Sequence, residues 1–69
     1  MNKAQALQKL REYLQAQGIK TKDDDPEVYG PIGSGADLHY SMWVIHEDDE
    51  RVNYLVYEDQ VLLRPDDKP

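Results

Sequence analysis

Three runs in the C-terminal half, "LHYSMWVIH", "RVNYLVYE" and "QVLLRP", are rich in aromatic and β-branched residues and separated only by the polar stretches Glu47–Glu50 and Glu58–Asp59. Connections this short force neighbouring strands to run antiparallel, so residues 37–64 read as a β-meander. The preceding segment "KTKDDDPEVYGPIGSGAD" carries two prolines, three glycines and a run of aspartates, which rules out a regular helix or a central strand. It reads as a connection over about 18–36. "EVYGPI" within it suits a short edge strand, because Pro31 is tolerated only where its missing N–H faces no partner.

The remaining segment, "NKAQALQKLREYLQAQG", has Leu7, Leu10 and Leu14 spaced by three and four residues, with Ala6 and Tyr13 widening the apolar stripe. Asn2 with Gln5 three residues on forms a capping-box pattern, and Gly18 followed by Ile19 has the form of a left-handed cap with its hydrophobic contact. A helix over about 3–17 is expected. The chain is then a single small α+β domain, one N-terminal helix packed on a three- or four-stranded antiparallel meander, with a frayed tail at 65–69.

The faces of the sheet follow from register. If His46 and Arg51 flank a four-residue loop, Ile45 lies opposite Val52, Trp43 opposite Tyr54 and Ser41 opposite Val56. With Glu58–Asp59 as a two-residue turn, Val61 falls beside Val56 and Leu63 beside Tyr54. One face then holds Trp43, Ile45, Val52, Tyr54, Val56, Val61 and Leu63, with Trp43 expected in the core. The other holds Leu38, Tyr40, Met42, Val44, Leu55, Tyr57 and Leu62, with Tyr40 opposite Tyr57. Both faces are apolar, whereas a half-solvated antiparallel sheet alternates apolar with polar. One helix covers one face, so the second is expected to be an interface, with Tyr40, Met42, Leu55, Tyr57 and Leu62 as its contact residues. A register slip of one residue at a bulge is the competing reading, and it would sort the faces better.

At 69 residues with no cysteine, the domain buries a modest share of its surface and has no disulfide or thiolate zinc site to stabilise it. Self-association is therefore a favoured expectation. The lack of cysteine fits a reducing compartment, and with no apolar signal-peptide core and no run approaching a membrane span, a cytoplasmic location without membrane contact is expected.

The net charge of −6 is unevenly spread. Residues 1–22 hold five basic side chains against Glu12, which is +4, while residues 23–69 hold thirteen acidic against three basic, which is −10. A surface of that sign repels phosphate backbones and favours a basic partner, so direct nucleic-acid binding is not expected. Two acidic rims are the candidate contacts: Asp23, Asp24, Asp25 and Glu27, and Glu47, Asp48, Asp49 and Glu50. The bland reading is that these charges only confer solubility.

Three patterns invite a chemical reading. "IHEDDERV" sets His46 beside four carboxylates, but consecutive residues at a hairpin tip point apart and lack the alternate acidic spacing of a calcium loop, so no metal is expected. "GPIGSGAD" is glycine-rich yet feeds a strand and lacks the Lys-Ser/Thr pair of a phosphate loop, so no cofactor is expected. His39, Ser41 and Glu58 would form a relay if His39 and Glu58 paired, but without oxyanion donors or a dry pocket they imply an ion pair rather than an enzyme. The functional expectation is a small acidic protein-binding module, an inhibitor or regulator that occupies a basic, nucleic-acid-binding surface of a partner. The alternative is a structural homodimer or accessory subunit with the second sheet face buried against its copy. A ligand-binding domain built on His39, Ser41 and Glu58 is the remote third.

Overall fold

A computed structural model describes residues 1–22 and 26–64 of the chain. One helix, α1 (Lys3–Ala16), precedes four strands, β1 (Glu27–Ile32), β2 (His39–Ile45), β3 (Arg51–Tyr57) and β4 (Val61–Arg64). The strands form one antiparallel sheet in sequence order, with α1 on one face: an α+β domain. A single 3-10 turn, Gly35–Asp37, links β1 to β2. No helix among the described residues is long and apolar enough to cross a membrane. The acidic run Asp23–Asp25 and the expected frayed tail, 65–69, lie outside the described residues.

Both ends of α1 are built as the sequence indicates. The Asn2 side chain accepts from the Gln5 N–H (2.8 Å), and Gln5 Oε1 accepts from the Asn2 N–H (2.9 Å), closing the capping box. At the other end Gly18 adopts φ +70°, which L side chains rarely take. That turn lets the Ile19 N–H reach Leu14 O (2.9 Å) and the Gly18 N–H reach Gln15 O (3.1 Å), the two bonds of a Schellman cap. Ile19 then packs on the core as the cap's hydrophobic contact.

The core joins Ala6, Leu10 and Leu14 of α1 to Tyr40, Met42 and Val44 of β2 and Val52, Tyr54 and Val56 of β3. Leu7, Tyr13, Ile19, Val28 and Val61 close its margin. Tyr13 meets Tyr54 edge-on, with ring centroids 6.0 Å apart, a favoured aromatic geometry.

This core corrects the expected first hairpin by one residue. Ile45 pairs with Arg51, Val44 with Val52, Met42 with Tyr54 and Tyr40 with Val56. The cause lies in the tip. The Asp49 N–H donates to His46 O (2.9 Å), Asp49 itself takes φ 71°, and the His46 N–H then donates to Glu50 O (2.8 Å). A turn followed by a left-handed residue is a three-residue hairpin loop with a bulge, Glu47–Asp49 closed by His46 and Glu50, one residue shorter than the expected four, and that difference shifts every partner by one. Tyr40 and Met42 thus belong to the core beneath α1, not to a second face with Leu55, Tyr57 and Leu62. Trp43 and Ile45 leave the expected core and move to the opposite face. Tyr40 no longer opposes Tyr57, which pairs with His39. The second hairpin keeps its expected register, with Val56 opposite Val61 and Tyr54 opposite Leu63 across the Glu58–Asp59 turn.

β1 is an edge strand, as Pro31 requires, and its register breaks between Tyr29 and Ile32. Gly30, at φ +130°, lies where an added Cβ would sit 3.1 Å from His39 O and 3.2 Å from a Tyr40 ring carbon. That approach lets the bulged edge lie close against β2.

Candidate functional site

The sheet face away from α1 has no covering element among the described residues. Register places its side chains in rows running across the strands: Glu27, Trp43, Asn53 and Arg64 in one, Tyr29, Ser41, Leu55 and Leu62 in the next, and the pair His39 and Tyr57 beyond them. Ile45 and Arg51 complete the end nearest the β2–β3 tip. Tyr29 is 52% exposed and Ile45 and Leu62 are exposed, while Trp43, Leu55 and Tyr57 are half-buried. Of the expected sheet-face contacts, Leu55, Tyr57 and Leu62 lie together here.

Charged and aromatic groups on this face are already interlocked. Arg51 Cζ stacks 4.5 Å from the centre of the Trp43 ring, while its Nη2 lies 3.5 Å from Glu27 Oε1. The Tyr29 hydroxyl donates to the other carboxylate oxygen, Glu27 Oε2, at 2.7 Å. Glu27 therefore ties the edge strand β1 to β3 across β2. Its hydrogen bond, and then its charge, hold the Tyr29 phenol above its ordinary pKa. Because the folded pKa is raised, this interaction favours folding below the ordinary tyrosine pKa and is lost as pH rises through the raised one. Glu27→Gln is expected to bring the Tyr29 titration down toward its ordinary value, read by NMR of labelled tyrosine rings. A titration that does not move would contradict the assigned bond.

His39 and Tyr57 stack with ring centroids 4.7 Å apart and planes 26° from parallel. His39 Nδ1 lies 2.6 Å from Asp37 O, and since a carbonyl only accepts, that nitrogen carries the proton. Ser41 Oγ accepts from Asn53 Nδ2 at 2.8 Å. Glu58 sits in the β3–β4 turn, 3.7 Å from the N-terminal ammonium, so the expected His39–Glu58 pairing does not form. No relay of the three is assembled.

Acidic groups frame the open face at both ends. Glu47–Glu50 stand at the β2–β3 tip, while Asp37, Glu58 and Asp59 stand at the opposite end of the sheet. The tip is anchored rather than loose. The Glu47 N–H donates to Lys20 O (3.1 Å), the Lys22 N–H to Ile45 O (2.9 Å), and the Lys22 ammonium pairs with the Asp49 carboxylate. Asp48 Oδ1 accepts from the Glu50 N–H (3.0 Å). His46 Nε2 lies 2.8 Å from the Tyr54 hydroxyl, which joins the tip to the core. Burial raises the Tyr54 pKa, with smaller contributions from Tyr13 and Glu50. Lys22 thus compensates Asp49, whereas Glu47, Asp48 and Glu50 make no ion pair with a described residue. Among the described residues, no three His, Asp or Glu side chains converge as metal ligands.

Sequence reasoning passed over Trp43, Arg51 and Tyr29 as parts of this surface. The signal was present in Arg51, which directly follows the acidic tip and so begins a strand whose first side chain is charged and outward. The chain matches no family model, no curated protein and no solved structure.

Proposed function

We propose that the chain is a small non-catalytic protein-binding module that lays its open sheet face on a basic surface of a protein partner and so inhibits or regulates that surface. One observation carries the reading: an uncovered face bearing Tyr29, Trp43, Leu55, Tyr57 and Leu62 is framed at both ends by acidic loops. Aromatic and aliphatic side chains at the centre of a patch supply most of the affinity of an interface. Charges at its rim act chiefly on association rate and partner choice. A basic nucleic-acid-binding surface is the complement of this arrangement, and phosphate backbones are its opposite.

The test is affinity capture from the source cell's extract with quantitative mass spectrometry, using wild type, Leu55→Arg and the double variant Glu47→Gln/Glu50→Gln. A basic protein retained by wild type and lost by Leu55→Arg is expected. Against that purified protein, the double variant should associate several-fold more slowly at low salt, with a flatter salt dependence. Retention that ignores both variants would overturn the reading.

A further inference from the structure

The two edges of the sheet are protected very differently. β1 carries Pro31, which has no N–H, and a register break between Tyr29 and Ile32, two devices that discourage pairing with another chain. β4 has neither. Its register to β3 is unbroken from Val56–Val61 to Asn53–Arg64, and Leu62 and Leu63 are 42% and 56% exposed.

Backbone phase shows what this edge offers. The Tyr57 N–H donates to Gln60 O (2.8 Å) across the two-residue turn, so Tyr57 and Gln60 form a hydrogen-bonded pair. Such pairs alternate along an antiparallel ladder, so Leu62 and Arg64 also aim their backbone groups at β3. Val61 and Leu63 therefore turn N–H and C=O outward, away from the sheet.

We propose that β4 pairs antiparallel with β4 of a second copy, about a twofold axis at Leu62. The two sheets join into one of eight strands, with both helices on the same side. This edge meets the face assigned to a foreign partner above only at Leu62 and the Glu58–Asp59 turn, and the inference does not depend on that reading. A twofold axis normal to the sheet keeps each side chain on its own face, and the outward groups allow centres on Val61, Leu62 or Leu63; a centre on Val61 forms only that residue's own pair of bonds within the strand. Centred on Leu62, Val61 of each copy exchanges both backbone bonds with Leu63 of the other, giving four hydrogen bonds. Centred on Leu63, only the Leu63 pair lies within the strand, and Val61 has no partner there.

Side chains agree with the Leu62 centre. Leu62 meets its symmetry mate on the open face, and Leu63 meets Val61 of the second copy on the helix side. Arg64, which forms no ion pair with a described residue, comes opposite Gln60 of the second copy and beside its acidic Glu58–Asp59 turn. Symmetry makes that contact twice, so the edge is complementary in charge to itself. Strands of four residues bury little surface, which places the pairing among weak, reversible interfaces.

Sedimentation equilibrium over a wide concentration range tests the proposal. Wild type is expected to show a reversible monomer–dimer equilibrium. Leu63→Pro removes an outward N–H that serves no bond among the described residues, so it should abolish the dimer while circular dichroism stays unchanged. Arg64→Glu should weaken the dimer about tenfold or more, and adding Asp59→Lys should restore it by exchanging the charges. A strictly monomeric wild type, a dimer that survives in folded Leu63→Pro, or an Arg64→Glu chain that dimerises as tightly as wild type would each overturn the pairing.

Discussion

Leu10→Ala is expected to lower the melting temperature by more than ten degrees and to leave a substantial unfolded fraction at room temperature. Leu10 is 1% exposed, on the face of α1 that covers the sheet core. Truncating a buried leucine removes its transfer free energy and leaves a cavity, together about 2–5 kcal/mol. A 69-residue domain has a total stability of only about 3–10 kcal/mol, and this one has no disulfide to limit its unfolded state. In a domain of this size each kilocalorie shifts the melting temperature by about 4–8 °C. Leu7→Ala is the internal control: Leu7 is only half-buried at the core margin, and its truncation should cost clearly less. Thermal melts by circular dichroism decide the matter, and equal small shifts for the two variants would mean that α1 is not held by this core.

Helix, edge strand and second hairpin were legible in the sequence because each rests on local chemistry. Asn2 with Gln5, and Gly18 with Ile19, mark helix ends through bonds that span a few residues. Pro31 forbids β1 a central place in the sheet whatever surrounds it. The Glu58–Asp59 turn offers a single short connection, so the partners of Val61 and Leu63 follow.

The first hairpin was not legible, because its register depends on the conformation of one residue. Asp49 in the left-handed region adds a bulge, and nothing in "HEDDE" distinguishes that loop from a four-residue one. A one-residue slip exchanges whole faces. That is why Tyr40 and Met42 were expected at an interface but form the core, and why Trp43 was expected in the core but lies under Arg51. Helix covering power was the stronger clue. With the observed register Tyr40, Met42, Val44, Val52, Tyr54 and Val56 fall on one face beneath α1, and the other face retains Ser41, Asn53, Arg51 and Glu27 among its apolar residues. The open face is therefore amphipathic, held by its own polar contacts, and less hydrophobic than the slipped register implied.

Asn53 shows how such a face is held together, and Asn53→Asp is expected to destabilise the fold by about 3 kcal/mol at neutral pH. Asn53 is 3% exposed, and its Nδ2 donates both to Ser41 Oγ and to Met42 O, the latter at 3.1 Å. Aspartate has nearly the same shape but places a carboxylate oxygen where that donor stood. Ionised, it can only accept, so it would oppose the Met42 carbonyl oxygen at close range with little water to screen it. Protonated, it regains one donor. The introduced carboxyl should therefore have a folded pKa above its unfolded value, so its protonated form supports folding below the unfolded pKa and that support is lost as pH rises through the folded one. Relative to wild type, the variant should be near normal in acid and progressively weaker toward neutrality. Urea denaturation across that pH range measures the difference directly. A deficit that stays constant with pH would show that lost packing, rather than a buried charge facing a carbonyl, accounts for the effect.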